Sequence, residues 1–224
     1  MKKYEVIILS GGKGTRLNKI TKKIPKCLIE FNGKPFLYYQ LYYLKKNNIK
    51  NVILSVGYKA RLIKEYVRKE IDFINVKIVS DGKKLLGTGG AILKSIKFLK
   101  DQFFVIYGDS YINFRLKEFK KDKKFSIMAI YKNENKYDLS NVEIMKNNFI
   151  IYDKFKKKKE YRYIDYGVSF LDKNIFKGFN KTKRFDLSVL VQKISKDRKL
   201  KGLIIKKRFY EIGSYNGIKK FDNF

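Results

Sequence analysis

Four short apolar runs divide the first half of the chain: Tyr4 to Leu9, Asn51 to Val56, Val76 to Val79 and Phe103 to Tyr107. Helical patterns separate them. Pro35 opens one with Phe36, Leu37, Leu41 and Leu44 on a single face, Ala60 to Lys69 turns Leu62, Ile63, Tyr66 and Val67 inward, and Gly90 to Leu99 forms a third. Strands alternating with helices predict an α/β fold with a Rossmann-like, doubly wound, mostly parallel sheet. Right-handed crossovers then bring the loops that follow the strands to one edge, where ligands bind.

The second half reads differently. Phe125 to Tyr131, Val142 to Met145, Phe149 to Asp153 and Tyr163 to Leu171 are strand-like with few helices between them, which predicts an antiparallel, substrate-facing extension. A helix over Arg184 to Ile194, a strand over Leu203 to Lys206 and a short helix over Tyr215 to Phe221 follow. No linker or repeat interrupts the chain, so residues 1–224 are expected to form one domain of two halves, about 1–112 and about 113–224.

Composition removes several chemistries. The chain has 224 residues and no histidine, which excludes a Ser-His-Asp triad, a Cys-His pair and His-ligated zinc. The single cysteine, Cys27, cannot form an internal disulfide and fits a cytoplasmic setting. No apolar run approaches the roughly 20 residues that span a bilayer, and Val6 to Leu9 is too short for a signal peptide, so no membrane partner is expected. The net charge of +32 suggests nucleic acid, but only eight of the 53 basic residues are arginine and the lysines spread over the whole length. Alanine is confined to Ala60, Ala91 and Ala129, a pattern of A/T-rich coding acting on a solvated surface. Anionic small substrates suit such a surface, and no specific nucleic-acid partner is expected.

The first run ends in Leu9-Ser10-Gly11-Gly12-Lys13-Gly14-Thr15-Arg16-Leu17. Glycines let a backbone pass close to phosphates and aim N–H groups at them, and Lys13 and Arg16 add cations. The loop lacks the Walker A pattern, and Leu17 stands where a dinucleotide fingerprint needs its third glycine. Taken alone, it is either a phosphate cradle or a glycine-rich turn that ends a strand. Ile24-Pro25-Lys26-Cys27-Leu28 and Gly33-Lys34-Pro35-Phe36 follow.

Together these runs resemble the sugar-1-phosphate nucleotidyltransferases, which join an NTP and a sugar 1-phosphate into an NDP-sugar and pyrophosphate. Three further stretches extend the resemblance: Leu86-Gly87-Thr88-Gly89-Gly90-Ala91, Tyr107-Gly108-Asp109-Ser110 and Phe209-Tyr210-Glu211-Ile212-Gly213-Ser214. The resemblance implies that Leu9, Gly11, Gly12, Lys13, Gly14, Thr15, Arg16 and Lys26 bind the nucleotide, with Gly87 and Thr88 on the base side. It implies Arg16, Lys26 and Asp109 as catalytic residues and Mg²⁺ held by Asp109 and Glu211; relatives commonly have aspartate in place of Glu211. Asn141, Lys154, Asp165 and Gly167 fall where relatives contact the sugar, and Lys154 leads into the lysine run Lys156 to Lys159. Cys27 is expected to pack and not to react, since no histidine activates it. The compact length, the Leu-Gly-Thr-Gly-Gly-Ala loop and the lack of a long C-terminal repeat region most resemble the heptose 1-phosphate guanylyltransferase branch. UTP, CTP or dTTP with a hexose or muramate 1-phosphate is the alternative. A non-catalytic nucleotide-binding subunit and a basic nucleic-acid-binding protein are the rival classes. Oligomeric state cannot be read from the sequence.

Overall fold

The computed structural model describes residues 3–119, 124–154, 161–179 and 184–223. The first run forms strand β1 (Tyr4–Ser10). A short helix α1 (Asn18–Thr21) and a hairpin of two-residue strands, β2 (Glu30–Phe31) and β3 (Lys34–Pro35), lead into helix α2 (Phe36–Lys46). Pro35 sits at φ −59°, the value its ring imposes, and so sets the direction of α2. The predicted face of α2 is buried throughout, but Gln40 is buried with Phe36, Leu37, Leu41 and Leu44.

Strand β4 (Asn51–Val56), helix α3 (Ala60–Glu70), strand β5 (Asn75–Ser80), helix α4 (Gly87–Ser95) and strand β6 (Leu99–Tyr107) complete the alternation. Helix α4 starts three residues before the predicted Gly90. Its first turn is held from outside, because the Phe185 carbonyl accepts from the N–H groups of Gly89 and Gly90 at 3.1 and 3.4 Å. It also ends early, because Leu99 pairs with Tyr4 as the first residue of β6.

Strand β1 lies between β4 and β6, parallel to both, and β5 lies outside β4. The strand order therefore reverses between β1 and β6, and ligands of such sheets bind at the carboxyl ends of strands at that reversal. Beyond β6 come β7 (Ser110–Tyr111), β8 (Ser126–Lys132), β9 (Val142–Ile144), β10 (Ile150–Tyr152) and β11 (Tyr163–Asp172). Strand β11 runs antiparallel to both β6 and β8, so the predicted extension is edge-on and continuous with the parallel half. Helix α5 (Leu187–Lys196) precedes β12 (Leu200–Ile204), which starts three residues before the predicted Leu203 and is parallel to β8, a parallel pair within the extension. One nine-stranded sheet results.

Alternate residues of β1 face opposite layers, as strand periodicity requires. Val6 and Ile8 pack with Leu37, Leu41 and Ile63 from α2 and α3, whereas Ile7 and Leu9 pack with Ile92 and Leu190 from α4 and α5. A third cluster joins the two ends of the chain. Leu17, Phe31 and Phe36 pack with Ile212 and with Phe221 of helix α6 (Tyr215–Asp222). The Phe221 ring lies edge-on to Phe31 and Phe36, with centroids 4.8 and 5.1 Å away. This seat positions β13 (Tyr210–Glu211), which pairs antiparallel with β7. Among the described residues no helix is long and apolar enough to cross a membrane.

Phe221→Ala removes a ring from an aromatic cluster in which few atoms can collapse to refill the space. The expected loss of stability is about 3–5 kcal/mol in urea unfolding; a loss below 1 kcal/mol contradicts the role of this cluster as the seat of the C-terminal segment.

Candidate active site

The loop after β1 crosses the carboxyl edge of the sheet. The Gly11 carbonyl accepts from Tyr58 N–H at 3.0 Å, and Gly14 adopts φ +64° to enter the turn Thr15–Leu17. A Cβ on Gly14 would stand 2.8 Å from Thr21 Cγ2, so packing and backbone both require glycine there. A Cβ on Gly12 would meet nothing within 4 Å. Gly12 faces open space, the arrangement that lets a phosphate chain approach the backbone.

A cavity of about 830 Å³ opens at this edge. Leu9, Gly11, Gly12, Lys13 and Thr15 line it from the loop after β1, Lys26 and Asp109 close one end, and Gly87 and Thr88 stand at the start of α4. Gly14 lies behind this wall and shapes it.

Lys26 and Asp109 meet from opposite sides of the β1–β6 reversal, Nζ 2.5 Å from Oδ2. Pro25, extended at φ −69° and ψ 146°, starts the short turn that carries Lys26. Burial opposes ionisation of Asp109, but the charges of Lys26 and Arg16 outweigh it and hold the carboxyl below its ordinary range. The backbone around Asp109 is fixed by Gln40, whose Nε2 donates to the carbonyls of Tyr107 and Ser110 at 3.0 and 2.8 Å. Sequence reasoning missed Gln40. Its signal is a lone amide within an apolar helix face.

Glu211 reaches the same place from the far end of the chain. Glu211 pairs with Ser110 across β13–β7, and Ile212 N–H donates to the Asp109 carbonyl at 2.9 Å. Gly213 N–H donates to Glu211 Oε2, and Ser214 Oγ donates to Oε1 at 2.6 Å. A Cβ built on Gly213 would stand 2.7 Å from Glu211 Oε2 and 3.0 Å from both Asp109 Oδ2 and Arg16 Nη2. Two carboxylates and a guanidinium thus converge on one methyl-sized space. Among the described residues Glu211 forms no ion pair with Lys206, Lys207 or Arg208. The carboxylate oxygens could serve a small divalent cation, which would have to displace Arg16 and Lys26 from them. Among the described residues no group of three His, Cys, Asp or Glu side chains is suited to hold a metal by itself.

Three of the four residues expected to contact sugar, Asn141, Asp165 and Gly167, are linked by hydrogen bonds beside β7. Asp165 N–H donates to Asn141 Oδ1 at 3.0 Å, and Gly167 N–H donates to Asp165 Oδ1 at 2.8 Å. Gly167 has φ +86°, and a Cβ there would stand 2.2 Å from Ser110 Oγ. Burial pushes the Asp165 carboxyl up to about 6. Lys154 Nζ lies 3.4 Å from Asp186 Oδ2, and Thr88 Oγ1 donates to Asp186 Oδ1 at 3.0 Å. Asp186 also caps α5 by accepting from Ser188 N–H at 3.0 Å. Sequence reasoning missed Asp186 too; an aspartate just before an apolar helical run is the available signal. Thr88 and Gly87 therefore do more than line the cavity. Thr88 accepts from Leu187 N–H at 2.7 Å, and a Cβ on Gly87 would stand 2.5 Å from the Phe185 carbonyl, so both join the start of α4 to the segment before α5. Lys156 to Lys159 lie outside the described residues. Cys27 is buried, its thiol pushed up to about 12 by desolvation, in accord with a packing role.

The family model described as nucleotidyl transferase matches residues 5–189. The chain belongs to the nucleotidyl transferase family. This nucleotidyltransferase is 37% identical over 211 residues to a D-glycero-alpha-D-manno-heptose 1-phosphate guanylyltransferase of Campylobacter jejuni, covering 93% of this chain and 94% of that protein. It is 30% identical over 221 residues to the protein of that name from Aneurinibacillus thermoaerophilus, covering 96% of each. Among solved structures it resembles HddC from Yersinia pseudotuberculosis complexed with GMP-PN, with a TM-score of 0.81, 26% identity and 98% of each chain covered.

The raised Asp165 carboxyl predicts a pH signature. The folded state holds this proton more tightly than the unfolded chain, so its contribution is present at low pH and is lost as pH rises through about 6. Asp165→Asn keeps an oxygen for Gly167 N–H and never ionises. Between pH 4 and pH 7 the wild type should lose up to roughly 3 kcal/mol of stability relative to Asp165→Asn. Unfolding curves at both pH values check this, and a stability gap independent of pH contradicts it.

Proposed function

We propose that this nucleotidyltransferase transfers a guanylyl group from GTP to a heptose 1-phosphate, giving a GDP-heptose and pyrophosphate. The base and the sugar rest on the names of the two relatives that match nearly end to end and on the nucleotide analogue in the Yersinia structure. The observation that carries the reaction type is the Lys26–Asp109 pair beside a glycine loop at the sheet's reversal point.

The reaction is an in-line displacement. An anionic oxygen of the sugar 1-phosphate attacks the α-phosphorus of GTP, the bond from that phosphorus to the bridging oxygen breaks, and pyrophosphate leaves with the electron pair. The nucleophile carries its own negative charge, so no residue must remove a proton, which suits a chain without histidine. The residues position the phosphates and neutralise their charge. The loop from Gly11 to Thr15 holds the triphosphate with its N–H groups, and Lys13 and Arg16 add positive charge. Lys26 neutralises the α-phosphate. Asn141 and Asp165 meet sugar hydroxyls, Gly167 lets the strand pass Ser110, and Lys154 meets the sugar phosphate.

Asp109 and Glu211 would hold Mg²⁺, their two oxygens around the space at Gly213 supporting that assignment. When bound, the ion supplies positive charge to phosphate oxygens. The lone buried thiol supports a cytoplasmic setting, and the sheet shared by both halves supports action as a single domain.

A pyrophosphate-release screen of four NTPs against a panel of sugar 1-phosphates tests this reading. GTP with a heptose 1-phosphate should give the highest kcat/KM, and chelation of divalent ions should abolish turnover. Preference for UTP with a hexose 1-phosphate contradicts the substrate assignment, and full activity in excess chelator contradicts the metal assignment.

A further inference from the structure

The cavity continues past the phosphate loop toward the ends of β4 and β5. Ser55, Asp81 and Leu85 line that part. Asp81 follows β5 directly, its N–H donating to the Val56 carbonyl at 2.8 Å. Three strand spacings separate β5 from β6 in the sheet, roughly 14 Å. That offset places Asp81 at the other end of the same cavity from Lys26 and Asp109.

Asp81 is half-buried. Its Oδ2 accepts from Leu86 N–H at 3.0 Å, and no described group is hydrogen-bonded to Oδ1. The charge of Lys94 acts on it, but Lys94 Nζ donates to the Asp81 backbone carbonyl at 2.9 Å. No cation is ion-paired with the carboxylate among the described residues. Gly11 and Gly57 bring backbone to its side, since a Cβ on either would stand 3.6 or 3.1 Å from Oδ2. The carboxylate is thus fixed in place by one backbone donor and has acceptor capacity left over within the cavity.

We propose that Asp81 selects guanine by accepting hydrogen bonds from the N1–H and N2–H groups of its Watson–Crick edge. An ionised carboxylate is acceptor-only. Guanine alone among the common bases presents two adjacent donors on that edge. Uracil and thymine place a single N–H between two carbonyl oxygens, and cytosine and adenine set a ring-nitrogen acceptor beside their amine, so each puts an acceptor against the carboxylate. A half-buried carboxylate facing acceptors is unpaired, which makes Asp81 a device against the wrong base as well as for the right one. Burial raises the Asp81 carboxyl, in keeping with a group that gains by receiving donors. This inference rests on the guanylyl reading of the same site and adds the residue that enforces it.

Inosine triphosphate isolates the claim, because it keeps N1–H and lacks the N2 amine. Calorimetric titration of the wild type with GTP, ITP and UTP needs no sugar substrate and no turnover. The wild type should bind GTP roughly 10- to 100-fold more tightly than ITP. Asp81→Asn retains an acceptor oxygen but turns an amine toward the base, so the preference for GTP over ITP should fall to near unity while ITP affinity changes little. A wild type that binds GTP tightly but does not separate it from ITP overturns the Asp81 assignment. So does an Asp81→Asn protein that loses GTP and ITP by the same factor, which is the result if Asp81 only holds Leu86. A wild type that prefers UTP to GTP instead overturns the guanylyl reading itself. If Asp81→Asn does not fold, Asp81→Ser is titrated in its place and read by the same two outcomes.

Discussion

The ion pair between Lys26 and Asp109 is the interaction around which the rest of the structure is arranged. It lies where the strand order reverses, between the ends of β1 and β6. An aspartate there faces opposing demands, since burial favours its neutral form and phosphate chemistry needs its charge. Lys26 and Arg16 resolve the conflict. Each partner is held from a separate part of the chain: Lys26 by the turn after Pro25, and Asp109 by Ile212 N–H near the C-terminus and by the Gln40 amide, which binds the flanking carbonyls of Tyr107 and Ser110. The aromatic seat of Phe221 anchors that last contact. Packing remote from the cavity thereby fixes the distance on which its charge depends.

The glycines divide into two kinds. Gly12 opens onto empty space and leaves room for a ligand. Gly14, Gly87 and Gly167 have positive φ and lie against Thr21, Phe185 and Ser110, so protein packing alone excludes a side chain. Gly87 and Thr88 also tie the nucleotide side to the sugar side through Phe185, Asp186 and Leu187. The residues proposed to bind the two substrates therefore share hydrogen bonds, and a change at Asp186 reaches both Thr88 and Lys154.

Much of this was legible in the sequence because local rules and the global fold agree. The β/α alternation gave the parallel half, and the α2 face was read correctly at Phe36, Leu37, Leu41 and Leu44. The loop after β1 and the Asp109 turn could be placed at one edge, because a doubly wound sheet leaves them nowhere else. What escaped were residues whose role is made only by tertiary contact. Gln40 reads as one polar interruption of an apolar face until its partners, Tyr107 and Ser110, are known. Asp186 falls inside the helix read over Arg184 to Ile194, whereas it caps α5 from outside, and its bonds to Thr88 and Lys154 join residues far apart in the chain. The starts of α4 and β12 shifted for a similar reason: the Phe185 carbonyl and strand β8 define them from outside.

The central claim is that Lys26, paired with Asp109, neutralises charge on the phosphate undergoing displacement. It is tested most directly by pyrophosphate release from Lys26→Ala under saturating GTP and heptose 1-phosphate, with circular dichroism on the same sample to establish that it is folded. A native-like spectrum is expected, with turnover reduced at least about a hundredfold, the typical loss when one positioned donor to transition-state charge is removed. A folded Lys26→Ala protein turning over within a few-fold of wild type would contradict the claim.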